Sequence, residues 1–328
     1  MPTDILTLAL DNLLSPVILF FVLGIAAGAS QSDLSIPESV AKALSLYLML
    51  AIGFKGGVAV AEHGLDTRLI ASAGWAVLLS FGMPFIAYRL VLLFTRLDRV
   101  NAAALAAHYG SISVVTFVTA IAFLGDREYE GFMVAVMAIM ETPAIIAGLL
   151  MARRAGAKTD TGRSKFGVSH KLMREVFLNG SVVLLVGSFA IGMATGTEGM
   201  KQLEPVVKTP FQGALAVFLL DMGLVAARRL RESTNISFGL VGFAIVMPLI
   251  GAVFGALGGA LIGLSFGGTF LFAVLGASAS YIAVPAAMRL ALPDADPAIY
   301  VTASLAVTFP FNITLGLPLY FILAQFFA

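Results

Sequence analysis

The sequence predicts an all-α integral membrane protein with ten transmembrane helices in two inverted five-helix repeats. Three observations predict it. Of the 328 residues, 59% are hydrophobic and only 12% charged, whereas a soluble domain carries about 25% charged residues; mean hydropathy is +0.97. Ten stretches approach the roughly 20 apolar residues needed to span a bilayer. The second half of the chain also repeats landmarks of the first in the same order.

The ten stretches run over residues 13–30, 39–61, 69–94, 102–124, 131–152, 175–196, 208–227, 237–264, 268–291 and 299–327. The strongly polar connection, 153–174, carries Arg153, Arg154, Lys158, Arg163, Lys165, Lys171 and Arg174. It separates a first repeat, 1–152, from a second, 175–328. In the first stretch Leu23-Gly24-Ile25-Ala26-Ala27-Gly28 matches Ile191-Gly192-Met193-Ala194-Thr195-Gly196 in the sixth, and small residues at that spacing read as close helix packing. In the second, Ile52-Gly53-Phe54 matches Met222-Gly223-Leu224 in the seventh. In the third, Met83-Pro84 matches Met247-Pro248 in the eighth. The fourth and ninth each contain two serines two apart, Ser111/Ser113 and Ser278/Ser280. The fifth and tenth share Glu141-Thr142-Pro143 and Thr308-Phe309-Pro310. Five spans per repeat is an odd number, so the second repeat is inverted.

Lys and Arg set the orientation. One side receives Lys42, Arg89, Arg96, Arg99, the seven charges of 153–174, Arg228, Arg229, Arg231 and Arg289; the other receives Arg68, Arg127, Lys201 and Lys208. The richer side reads as cytoplasmic, placing both termini outside an inner (plasma) membrane. No Lys or Arg precedes the first apolar stretch, so it reads poorly as a signal peptide. The formal net charge of +1 suggests no nucleic-acid partner. The absence of Cys removes disulfides and thiolate chemistry, and His63, His108 and His170 are too scattered for a zinc site.

The fourth and ninth stretches carry the most information. Serines at i and i+2 do not share one face of an α-helix. Each pair follows a glycine, Gly110 or Gly276, and reads as a break in a helix. Broken helices at membrane depth are tolerated where they line a cavity, and paired breaks in two repeats mark a transporter's binding site. Two half-helix N-termini then aim at one pocket. Their free N–H groups and positive dipole ends suit a small anion without any Arg. Gly110, Ser111, Ser113, Ser278, Ser280 and Tyr281 are the candidate substrate residues. Tyr281 can offer its hydroxyl to substrate or fill the gap between helices, and His108 reads as a hydrogen-bonded packing residue.

Ionisable residues within spans are functional candidates. Glu141 lies beside Pro143, which removes a backbone donor. With Thr142, Ser280 and Asn312, Glu141 is a candidate ion ligand; alternatively it stays protonated and hydrogen-bonds the broken helix. Asn312 is expected to face the cavity. Lys55 and Asp221 are expected to neutralise each other or neighbouring groups.

These residues resemble the SbtA-type sodium-dependent bicarbonate transporters over nearly the whole chain. The most specific parts are Ile36-Pro37-Glu38-Ser39, Ile52-Gly53-Phe54-Lys55-Gly56-Gly57, the Ser111/Ser113 break, Met140-Glu141-Thr142-Pro143-Ala144 and the run Ala277–Pro293. The resemblance implies inverted repeats, a core domain moving against a gate domain in an elevator-like cycle, a homotrimer and Na⁺-coupled uptake of bicarbonate. Na⁺ is then the coupling ion, and no other cofactor is expected. Anion and Na⁺ would sit between the broken fourth and ninth helices, with Ser111/Ser113 and Ser278/Ser280 matching the family's two serine motifs. The chain departs from cyanobacterial members at Tyr281, where they have Asp, and at Glu141, where they also have Asp. Val114 and Val115 are bulkier than their residues, and the central loop is shorter. That loop bears on the PII-like regulator, a partner of the cyanobacterial members.

The leading expectation is therefore a secondary transporter of bicarbonate coupled to Na⁺. The alternative is a proton- or sodium-coupled carrier of another small carboxylate or anion. An enzyme is not expected, since no Gly-x-Gly-Asp, His-Glu-x-x-His or Gly-x-Ser-Gly motif occurs. A passive channel would need continuous rows of polar residues, which the spans lack.

Overall fold

The computed structural model describes residues 5–64, 67–154, 180–233 and 236–327. Within them the regular elements are all helical. They are α1 (Ile5–Leu13), α2 (Pro16–Ala29), α3 (Glu38–His63), α4 (Thr67–Phe94), α5 (Arg99–His108), α6 (Val114–Leu124), α7 (Met133–Ile139) and α8 (Pro143–Arg154). The second half contains α9 (Gly180–Val207), α10 (Phe211–Glu232), α11 (Phe238–Ile262), α12 (Phe266–Ala277), α13 (Ala283–Ala291), α14 (Pro297–Val301) and α15 (Leu317–Phe327). The π-helical segments Thr302–Thr308 and Asn312–Gly316 join α14 to α15 around a short α-turn.

Helix occupies each of the ten apolar stretches. Among the described residues, seven helical runs are long and apolar enough to cross a membrane, while Pro16–Ala29, Val114–Leu124 and Phe266–Ala277 are shorter apolar helices. Local chemistry sets several starts. Pro37 precedes α3, and Pro143 and Pro297 begin α8 and α14, where a missing N–H costs no helical bond. Asp98 caps α5 by accepting from Val100 N and Asn101 N. Ser237 and Ser265 cap α11 and α12 in the same way.

Two helix pairs dominate one part of the molecule, α2 with α10 and α3 with α9. The repeated glycines lie at these crossings. A Cβ on Gly24 would fall 2.1 Å from Leu220 O, and one on Gly223 would fall 2.3 Å from Phe21 O. The other crossing has the reciprocal pattern: a Cβ on Gly192 would fall 2.2 Å from Phe54 O, and one on Gly53 would fall 2.6 Å from Leu185 O. Backbones approach this closely only where side chains are absent. Gly196 differs from the expected packing role. It adopts φ 55°, ψ −145° and bends α9, and its Cβ position would meet only Ala61, at 3.8 Å. Glycine alone takes that conformation at little cost.

The rest of the core gathers α4, α5 and α8 in mutual contact, and α11 against α12. A Cβ on Gly251 would lie 1.9 Å from Gly276 O. The short α1, upstream of the first predicted span, is tied in by Asn12. Its Nδ2 donates to Ile313 O at 2.9 Å and Thr314 O at 2.8 Å, carbonyls of the second π-helical segment. The tenth stretch is therefore not a uniform α-helix as expected. The basic connection falls almost wholly outside the described residues, which include only Arg153 and Arg154 of its seven charges.

Candidate functional site

The predicted breaks separate α5 from α6 and α12 from α13. After α5 the chain turns through Tyr109–Ser111, then runs to Ser113, whose extended conformation (φ −112°, ψ 110°) starts α6. Ser113 Oγ accepts from Thr116 N at 3.2 Å, capping the half-helix. The second break opens at Ser278, also extended (φ −73°, ψ 156°). Ser280 Oγ accepts from Val284 N at 3.3 Å in the first turn of α13, and Pro285 in that turn has no N–H to satisfy.

The two breaks meet. Ser280 N donates to His108 O at 2.9 Å, so the second break caps the C-terminal end of α5. One pocket lies between them, lined by Met49, Ile112, Ser113, Val114, Glu141, Ser280, Tyr281, Ile282 and Ala283. The N-terminal ends of α6 and α13 both border it. The cavity measures about 20 Å³, room for one water-sized occupant and no more.

The breaks divide the serine pairs. Ser113 and Ser280 line the pocket, whereas Ser111 and Ser278 do not. Ser278 Oγ donates to Val274 O at 2.8 Å and closes the end of α12. Ser111 Oγ and Thr116 Oγ1 are buried with no hydrogen-bond partner among the described residues, while the Tyr281 hydroxyl lies toward the Ser113 side chain. Two unpartnered hydroxyls beside the first helix break are costly without a ligand. The Tyr281 ring fills the gap between helices, packing edge-on against Phe309 with centroids 5.3 Å apart, and its hydroxyl is buried at the pocket. His108 fits the packing expectation. Its Nδ1 lies 2.7 Å from Ala104 O, and its ring stacks on Tyr300.

Glu141 sits in the break between α7 and α8, nearly buried, and lines the pocket. Its carboxyl has no hydrogen bond or ion pair among the described residues. The alternative in which it bonds the broken helix is not what this geometry has. Ser80 of α4 performs that task instead. Its hydroxyl donates to Met140 O at 2.6 Å and accepts from Ala144 N at 3.1 Å, bridging the gap in the helix. Thr142 is half-buried beside Glu141 but does not line the pocket.

Two expected site residues are placed differently. Gly110 is packed against α4, where a Cβ would lie 2.4 Å from Pro84 Cγ and 2.5 Å from Ser80 O. It allows the close approach that positions the break rather than facing the pocket. Asn312 was expected to face the cavity, but its Nδ2 donates to Ala277 O at 2.9 Å and its Oδ1 accepts from the Tyr320 hydroxyl at 2.7 Å. An amide in an apolar core takes the partners available, and a carbonyl freed by the end of α12 is one. Lys55 and Asp221 do not pair with each other. Lys55 Nζ lies over the Phe211 ring, 4.4 Å from its centroid.

Thr116, Ser80 and Met49 were not singled out as site residues. Thr116 lies three residues after the capping Ser113, a spacing that could have flagged it. Ser80 and Met49 come from α4 and α3 and carry no local signal.

The model of the Na⁺-dependent bicarbonate transporter superfamily matches residues 16–325. The chain belongs to this superfamily. The match covers both breaks, Glu141 and nearly every described helix. The protein is thus a transport protein and not an enzyme, and its apolar helices make it a multi-pass membrane protein. Among curated proteins, none matches the chain.

Proposed function

We propose that this superfamily member takes up bicarbonate together with Na⁺ at the pocket between α6 and α13. The single observation that carries the reading is the composition of that pocket. Two half-helix N-termini, which favour an anion, share it with the unpaired carboxyl of Glu141. An ionised Glu141 repels bicarbonate until a cation neutralises it. At an effective dielectric near 20, like charges about 5 Å apart cost roughly 3 kcal/mol. Na⁺ on Glu141 removes that repulsion, so ion and anion bind best together. A space of about 20 Å³ matches one bare ion before it matches bicarbonate. Anion entry then requires the two breaks to separate.

Ser113, Ser280 and Tyr281, which line the pocket, are proposed to contact the anion. Glu141 is the proposed ion ligand, with Thr142 beside it. Gly110, Ser278 and Asn312 hold the breaks in place. The reciprocal glycine crossings, α2 on α10 and α3 on α9, support two inverted five-helix repeats with ten spans. Those crossings form the proposed gate domain, and the helices around the breaks form the core that moves against it. The Lys/Arg bias supports a cytoplasmic central loop and outward termini in a plasma membrane, and a homotrimer follows from the family resemblance. A proton in place of Na⁺ is a second reading, because protonation also neutralises Glu141.

Calorimetric titration tests the coupling directly. Bicarbonate should bind purified protein tightly in NaCl and weakly in KCl at the same ionic strength. Bicarbonate should raise the Na⁺ affinity by the same factor. Equal bicarbonate affinity in the two salts would remove Na⁺ from the proposal.

A further inference from the structure

A second cleft lies away from the helix breaks, where α4, α5 and α8 meet. Its volume is about 750 Å³, far larger than the cavity between the breaks. Arg89 lies in the last two turns of α4, Arg99 opens α5 and Arg154 ends α8, and all three line the cleft. The remaining lining is mostly apolar and includes Phe85, Leu92 and Met151. No carboxylate lines the cleft among the described residues. The nearest in sequence, Asp98, is engaged by Val100 N at 2.9 Å and Asn101 N at 3.0 Å.

We infer that this cleft binds the phosphate headgroup of an anionic phospholipid, with an acyl chain laid along the end of α4. Three guanidinium groups from three helix ends form an anion site, and Arg suits phosphate because its planar fork donates two parallel hydrogen bonds. Basic pockets between transmembrane helices are a recurring form of lipid site. A soluble anion has no use for the apolar wall, whereas a lipid does. That wall also continues outward, since Leu92 and Leu93 are 38% and 78% exposed on a helix long and apolar enough to span a bilayer. The bland alternative is that the three arginines only fix topology. It predicts no preference among headgroups.

Native mass spectrometry of the full-length detergent-purified protein tests this, with phosphatidylglycerol, phosphatidylcholine and inorganic phosphate as probes. Phosphatidylglycerol should be retained over phosphatidylcholine, and inorganic phosphate should not compete at equal concentration. Arg89→Gln, Arg99→Gln and Arg154→Gln should each weaken retention about fivefold, since one basic residue near an anionic surface is worth about 1 kcal/mol. The triple Arg→Lys variant should keep most of the preference. Arg96→Gln, exposed at the same boundary but outside the cleft, should change nothing. Equal retention of the two lipids by the native protein would overturn the inference. So would three single variants without effect, a measurement that does not need a foldable triple Gln variant. Competition by inorganic phosphate as strong as by lipid would make the cleft a free-anion site and also overturn it.

Discussion

Replacing Glu141 with Gln should separate the two ligands proposed for the pocket. The substitution keeps size and removes charge. The carboxyl has no ion pair or hydrogen bond among the described residues, so little structure depends on its charge. For Na⁺, the change deletes an attraction of roughly 3 kcal/mol, taking about 5 Å and an effective dielectric near 20. The Na⁺ concentration for half-maximal uptake should therefore rise by roughly two orders of magnitude. For bicarbonate the sign is opposite. The repulsion that Na⁺ is proposed to relieve would be gone, so bicarbonate binding in Na⁺-free buffer should strengthen while its enhancement by Na⁺ collapses. Proteoliposome uptake across a Na⁺ series, with calorimetry on the same preparation, reads both effects. If a proton replaces Na⁺ as the partner, the variant should instead lose its dependence on external pH. Unchanged Na⁺ response, Na⁺-free binding and pH profile together would refute a neutralising role for Glu141.

The remaining predictions concern the anion cradle, the glycine crossings and the topology. Ser113→Ala or Ser280→Ala should weaken bicarbonate affinity by no more than about tenfold, because one neutral hydrogen bond is worth about 0.5–1.5 kcal/mol. Ser113→Asp or Ser280→Asp should abolish uptake by placing a carboxylate at the positive helix ends; isotope uptake by variants of equal expression checks both. Gly24→Leu should destabilise the protein by at least about 1–3 kcal/mol through overpacking, read as a fall in the detergent melting temperature. Gly74→Ala, with nothing within 4 Å of its Cβ position, should be tolerated. A cysteine at Lys158 should label only from the cytoplasmic side and one at Lys201 only from outside, and labelling of both from one side would exclude the inverted arrangement.

Elements with a periodic or repeated signature were legible before the structure. Helix occupies all ten apolar stretches, and breaks fall at both serine pairs because Gly110, Ser113 and Ser278 favour caps and turns over a helix interior. Gly24 and Gly192 were legible as close packing, and each lies against a backbone carbonyl; Gly53 and Gly223, legible only as repeat landmarks, do so too. The partner of a buried polar group was less legible. Asn312 turns to Ala277 O, and Ser80 repairs the break at Glu141 from 60 residues upstream. Nothing in their local sequence encodes those destinations, which depend on which carbonyls tertiary packing leaves free. The π-helical segments around Pro310 and the bend at Gly196 were missed similarly, since composition locates a break without giving its shape. Within the serine pairs, sequence alone did not distinguish the pocket-lining Ser113 and Ser280 from Ser111 and Ser278.

The central claim is that one pocket binds bicarbonate only when a cation has neutralised its carboxyl. Uptake of labelled bicarbonate into proteoliposomes, with Na⁺ gradients imposed inward, outward or not at all, tests it most directly. The account predicts accumulation above equilibrium with an inward Na⁺ gradient, and efflux when the gradient is reversed. Bicarbonate uptake that is indifferent to both the Na⁺ gradient and an imposed pH gradient would contradict it.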